Sequence, residues 1–157
     1  MGTVAQRGDV VQLGRPRALI IRKGHCVLRA RAKPETLDVE LASYEGDGDG
    51  DFRHRFRFSG WERIAELIYA LEQAARGELL NVVQWFDQGN QTVAMIFFRL
   101  EDYGGQDLKG RIYFRLGRAV AGEGTDFTDQ DRTRVRLTRL EVHKLKTLAQ
   151  MALFGVS

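Results

Sequence analysis

From Ala18 to Phe58 the chain alternates apolar and polar residues with the two-residue period of half-buried strands. The β-branched run Ala18–Arg22, a turn at Lys23-Gly24 and the alternating stretch Cys26–Lys33 predict a hairpin. Pro34 ends it. Thr36–Tyr44 then reads as a third strand, with Leu37, Val39 and Leu41 on one face and Asp38 and Glu40 on the other. A Gly-rich acidic connection, Glu45–Asp51, leads into a fourth strand over Phe52–Phe58. At that point the period changes to that of a helix: Trp61, Ile64, Leu67, Ile68, Leu71 and Ala75 recur at three and four residues, and Gly77 supplies a stop. Ser59 with Glu62 three residues on has the spacing of a capping box, in which each side chain bonds the other's backbone N–H. Trp61 is expected to pack in the core.

The same order follows a second time. Leu80–Phe86 and Thr92–Leu100 predict strands joined by a turn at Asp87–Gln91, Gly104-Gly105 marks a loop, and Arg111–Leu116 alternates as a strand. Val120–Asp131 reads as a long connection. Arg132–Leu137 then runs through Thr138, spaced for a capping box with Glu141, into a helix over Arg139–Phe154. A shift of 79 residues, from Ser59 to Thr138, brings Arg57 onto Arg136 and Glu62 onto Glu141, with Leu140 expected in the second core where Trp61 lies in the first. The pattern predicts an α+β fold of two antiparallel four-stranded sheets, each followed by a helix that covers its apolar face. Residues 1–17 read as an arm or edge strand, and 18–157 as one domain made of repeats 18–77 and 78–157.

Composition narrows the function classes. With 43% apolar residues among 157, the chain has the make-up of an ordinary soluble domain. A single cysteine, Cys26, offers no internal disulfide and points to a reducing compartment. The opening segment lacks the apolar core of a signal peptide, and runs such as Val93–Phe98 fall far short of a membrane span, so a soluble cytoplasmic protein with no membrane partner, free or associated with the nucleoid, is expected. The formal net charge is only +3, yet Arg far outnumbers Lys. Arg is the cation whose planar fork fits phosphate and stacks on flat rings, so placement matters more than the total.

Strand alternation places those arginines in rows. Arg53, Arg55 and Arg57 oppose Phe52, His54, Phe56 and Phe58; Arg29, Arg31 and Lys33 oppose Leu28, Ala30 and Ala32. In the second repeat Arg111, Tyr113 and Arg115 oppose Ile112, Phe114 and Leu116, and Arg132, Arg134 and Arg136 oppose Thr133, Val135 and Leu137. Sheet faces turned away from the helices therefore offer phosphate pairing together with aromatic stacking, the requirements of single-stranded nucleic acid. A solvated face whose arginines pair with Asp38 and Glu40 is the other reading of the same rows.

Catalytic and metal motifs are weak. Asp47, Asp49 and Asp51 begin like a calcium loop but continue into Phe52 and Phe58 where that loop needs Gly and Glu. Gly117 and Gly122 have phosphate-loop spacing, but Glu123 and Gly124 replace its Lys and Ser/Thr. His25, His54 and His143 show no metal-ligand spacing, and His25 beside Cys26 faces the opposite side of a strand. No cofactor, no metal and no enzymatic activity are expected.

The segments FRFSGWERIAELIYAL and LTRLEVHKLKTLAQMAL, each a basic strand running through Ser or Thr into an amphipathic helix, resemble the transcriptional coactivators called positive cofactor four. Two such units in one chain look like the Whirly proteins. RKGHCVLRA, Arg22–Ala30, is similar to their Lys-Gly-Lys-Ala stretch at Lys23-Gly24, with His25 and Cys26 where that family has Lys and Ala. The resemblance implies helices packed in the middle, sheets spread outward, and single-stranded DNA held with little sequence choice. The function expected is sequence-tolerant binding of single-stranded DNA or RNA in DNA maintenance or transcription regulation, through Arg29, Arg31, Arg53, Arg55, Arg57, Arg111, Tyr113, Arg115, Arg132, Arg134 and Arg136. The pseudo-dimeric chain would act alone or as a homo-oligomer. The alternative is a protein-interaction module in which the Arg rows serve solubility or acidic docking.

Overall fold

Strands β1 (Arg17–Lys23), β2 (Cys26–Lys33), β3 (Thr36–Ser43) and β4 (Phe52–Ser59) form one antiparallel sheet in chain order in the computed structural model, which describes residues 17–44, 52–79, 81–102, 108–120, 124–126 and 134–154. Alternation works as the sequence requires. Ile21, Leu28, Ala30, Leu37, Val39, Leu41, Phe56 and Phe58 are buried on the inner face, and the residues between them lie on the outer one.

The second sheet departs from the expected four strands. β5 (Val83–Asp87), β6 (Thr92–Asp102) and β7 (Leu108–Val120) pair in order, but the fourth position is shared by two short strands, β8 (Gly124–Asp126) and β9 (Arg134–Leu137). β8 lies within the stretch expected to be a connection. The reason is the length of β7: its 13 residues extend past the clean alternation of Arg111–Leu116, so its middle pairs with β9 and its end, Arg118–Val120, with β8. Gly117 is buried inside this strand and belongs to no phosphate loop. At Gly110 the Phe98 ring lies over the backbone where a Cβ would stand, so any larger residue there must push the ring aside. Arg132, the Asp47–Asp51 segment, the Gly104-Gly105 loop, and the arm over residues 1–16 lie outside the described residues.

The two helices, α1 (Trp61–Ala75) and α2 (Arg139–Leu153), start differently. In α2 the capping box is complete: the Glu141 N–H donates to Thr138 Oγ1 at 3.1 Å, and the Thr138 N–H donates to Glu141 Oε1 at 2.9 Å. In α1 it is absent. Ser59 remains in β4 opposite Thr36, and Gly60 is the N-cap, with φ 91° and ψ 152° and no side-chain cap bond. Those angles belong to a region that is essentially glycine's alone. The buried stripes Ile64, Leu67, Ala70, Leu71, Ala74 and Val142, Leu145, Leu148, Ala149, Ala152 match under a shift of 78 residues, whereas the strands before them match under 79. One extra residue in the first repeat, Ser59-Gly60 against Thr138, therefore places Glu62 one position short of a cap. Trp61 and Leu140, both expected in the core, are each 62% exposed in the first turn of their helices.

Neither helix simply covers the sheet it follows. α2 lies on β1, β2 and β3 of the first sheet, α1 packs against β6 as well as β4, and the helices pack along each other. A half-chain of about 60 residues buries too little surface to be secure alone, and exchanging helices merges two small cores into one. Ile21, Leu28 and Phe58 thus join Trp85, Ile96 and Phe114 in one apolar cluster. Polar ties cross the same boundary. Glu35, at φ 61° in the β2–β3 turn, donates its N–H to the Ala152 carbonyl at the end of α2 (2.8 Å) and accepts from the Gly60 N–H at the start of α1 (3.0 Å). Lys23 pairs with Glu141 at 2.8 Å, and Trp85 Nε1 donates to Glu66 at 3.1 Å.

The junction gives a contrast in stability. Gly60→Ala forces a side chain into a conformation that costs about 1–3 kcal/mol, while Ser59→Ala, at an exposed position that caps nothing, stays within about 0.5 kcal/mol of the parent. Urea denaturation of both variants measures the difference; a larger loss for Ser59→Ala would place the cap at Ser59.

Candidate nucleic-acid interface

The outer face of the first sheet is a ladder of arginines and carboxylates. Cross-strand register places Arg31, Asp38 and Arg57 on one rung, and Arg29, Glu40 and Arg55 on the next. Asp38 receives Arg57 Nε at 2.6 Å and Nη2 at 3.3 Å, and also pairs with Lys33 at 3.3 Å. Glu40 receives Arg29 at 3.2 Å, Arg55 at 3.1 Å and Arg53 at 3.5 Å. A trough of about 490 Å3 runs over the rungs, walled by Arg29 and Arg31 on one side and Arg55 and Arg57 on the other, with the exposed Ile20 at its rim. Burial pushes the Asp38 carboxyl up, but hydrogen bonds from Arg57 and Lys33 outweigh it and hold the group below its ordinary range. At one end Arg53 donates to the Tyr44 hydroxyl at 3.2 Å, and hydrogen bonds from Arg53 and Arg29 lower that phenol's pKa.

The second sheet has the same scaffold and different chemistry. Under the 79-residue shift Arg57 corresponds to Arg136 and Arg55 to Arg134. Their partners on the neighbouring strand are Tyr113 and Arg115, in the places that Asp38 and Glu40 hold in the first sheet. One strand further, Phe97 and Met95 replace Arg31 and Arg29. Phe97 and Tyr113 stack with ring centres 5.2 Å apart and planes 21° from parallel. The Arg134 guanidinium lies 4.7 Å from the Tyr113 ring centre, and that of Arg115 lies 5.7 Å from Phe97. Register also sets Arg99 opposite Arg111 and Arg115 opposite Arg134, like charges in directly facing positions. Burial lowers the Arg115 pKa, and the positive charges of Arg134 and Arg99 lower it further.

Structure thus brings the predicted residues together on two faces: Arg29, Arg31, Arg53, Arg55 and Arg57 on the first, and Arg111, Tyr113, Arg115, Arg134 and Arg136 on the second. Tyr113 is only 7% exposed, so its ring supports Arg134 rather than offering a bare stacking plate. Arg99 is a member that the sequence reading missed. Its signal is present in the alternation Met95, Phe97, Arg99, but the apolar residues between them make the stretch read as core.

The two faces are held in place by a tie between the sheets. Asp87, at the end of β5, accepts the Arg57 backbone N–H at 2.7 Å and the Asn90 amide at 2.9 Å, and the Thr92 hydroxyl donates to the Arg55 carbonyl at 2.6 Å. Edge strand β4 is thereby closed by the β5–β6 hairpin. Burial raises the Asp87 pKa, but the hydrogen bonds from Asn90 and Arg57 prevail and the net shift is downward.

Elsewhere, Cys26 is buried at the start of β2, and the neighbouring His25 is exposed in the turn before it. Among the described residues no three His, Cys, Asp or Glu side chains gather as a metal site, and no described helix is long and apolar enough to cross a membrane. Neither the models of known protein families nor curated proteins match the chain.

Because the Asp87 pKa is lower in the folded chain, its stabilisation is fully present above the unfolded carboxylate value, about 3.9, and is lost as pH falls through the folded value. Urea midpoints should therefore show Asp87→Asn less stable than the parent at pH 7, with the gap shrinking as the pH drops below about 4. A gap independent of pH would mean that the charge of Asp87 contributes nothing.

Proposed function

We propose that the protein binds single-stranded nucleic acid, largely without sequence preference and without catalysis, in DNA maintenance or transcription, using an architecture of the positive cofactor four and Whirly kind. The observation that carries this reading is the set of facing arginines on the second sheet, Arg99 opposite Arg111 and Arg115 opposite Arg134, with Arg115 and Arg134 lying over the Phe97–Tyr113 stack. The register concentrates positive charge along neighbouring strands, which favours a polyanion. Arginine pairs with phosphate through its planar fork and stacks on flat rings, and Arg134 beside the Tyr113 ring, with the exposed Arg136 two residues on, supplies that chemistry, whereas the Nε and Nη2 atoms of Arg115 are buried.

The order of elements supports the same reading, with strands then helix twice over, helices in the middle and sheet faces outward. Contacts of this kind act on the backbone and on ring faces that all bases share, so they hold a strand and read little of its sequence. A single strand can follow the twist of a sheet, whereas a stiff duplex touches it over a shorter length.

Filter binding of oligo-dT across a salt series checks this. Micromolar or tighter binding at low salt should weaken with a log–log slope of about −0.7 for every phosphate neutralised, and Arg134→Glu with Arg136→Glu should weaken it about tenfold or more. Absence of binding at low salt would overturn the proposal, and matched single- and double-stranded DNA and RNA would rank the partners.

A further inference from the structure

The two repeats close one corner of the molecule differently. In the first, the β3–β4 ladder runs through Thr36 and Ser59 and gains a further bond, from the Gly60 N–H to the Glu35 carbonyl, while the Glu35 N–H reaches Ala152 at the end of α2. The β2–β3 turn thus fills the corner between the start of one helix and the end of the other. In the second repeat Gly110 stands where Glu35 does, counted back from the rung Ile112–Leu137 that matches Leu37–Phe58, and Ala74 stands where Ala152 does. There the register of β9 on β7 ends at Ile112–Leu137. Two causes are visible: β7 does not turn at Gly110 but continues as strand paired with β6, and the Thr138 N–H is taken by Glu141 in the capping box. The corner is left as a cavity of about 360 Å3. Ala74, Ile112 and Leu137, all buried, and the half-buried Phe98 form its apolar wall, and the exposed Arg136 and Arg139 line it on the polar side.

We propose that this cavity is a site for a single nucleotide, its phosphate held by Arg136 and Arg139 and its base laid against the wall of Phe98, Ile112 and Leu137. The site goes beyond the strand-binding reading and stands without it. Arginine meets phosphate oxygens through a planar fork, and two guanidiniums can share one phosphate group. A flat base gains by leaving water for an apolar wall that includes a ring. The volume lies near the lower end of the range for small-molecule sites, which suits one nucleotide and leaves no room for a length of strand or a long acyl chain. Because Glu35 fills the matching corner of the first repeat, each chain holds one such site. A free nucleotide and the phosphorylated end of a strand present the same group to it.

Titration calorimetry with thymidine monophosphate, thymidine and inorganic phosphate tests the site. The monophosphate should bind once per chain and about tenfold or more tighter than either fragment, and Arg139→Gln, at an exposed position outside the sheet rungs, should weaken it about tenfold or more. Amide NMR shifts on binding should centre on Gly110 and Ile112. A fragment that binds as tightly as the monophosphate, shifts centred elsewhere, or an unchanged affinity in Arg139→Gln overturns the proposal. Oligo-dT with and without a terminal phosphate identifies the source: tighter binding of the phosphorylated form supports a strand end, and equal binding of the two supports a free nucleotide. Binding of oligo-dT with silence toward the monophosphate overturns this site and leaves the strand-binding reading intact. Binding of the monophosphate with silence toward oligo-dT overturns that reading and leaves the site.

Discussion

Each helix reaches across to the other repeat's sheet, and everything else in the molecule follows from that exchange. Were each helix laid only on the sheet before it, the chain would be two small sandwiches with two small cores. Because α2 lies on the first sheet and α1 against β6, the inner faces of both sheets are consumed in a single apolar cluster. Only the outer faces are left for chemistry, and strand alternation decides what appears there. The backbone of Glu35 fixes the arrangement at one point, joining the end of one helix to the start of the other through two hydrogen bonds.

On that scaffold, two side-chain positions give the faces opposite characters. Asp38 and Glu40 turn the first into a network of paired charges, in which each exposed ion pair contributes on the order of 0–1 kcal/mol and the chief effect is to fix the arginines in place. Tyr113 and Arg115 give the second facing arginines beside a pair of stacked rings. The inter-sheet tie at Asp87 works through the Arg57 backbone, so the Arg57 side chain remains available to Asp38.

Much of this was legible in the residue pattern. Period-two alternation located every strand of the first sheet, and the three-and-four spacing located both helices, because in each case a buried face leaves its period in the sequence. The exchange of helices was not legible, since an apolar stripe records that it is buried and not against what. The start of α1 was misread because Ser59 and Glu62 have the spacing of a capping box, while the conformation at Gly60 is a property of backbone dihedrals that spacing cannot carry. Strand β8 was hidden because three residues, Gly124–Asp126, are too few to show a period. Arginine rows were visible, and so was their pairing option with Asp38 and Glu40. Which row met which acid depended on register, and Arg99 was concealed by the apolar residues that surround it.

The helix exchange also bears on how the chain comes to be folded. During synthesis the first sheet emerges well before the helix that covers it, and α2 is the last described element to leave the ribosome. Until then Leu28, Val39 and Leu41 have no complete lid, and the contacts that finish their burial join opposite ends of the sequence. Such long-range closure is slow compared with hairpin formation. The burial of the first sheet's apolar face is therefore completed by the last described element of the chain.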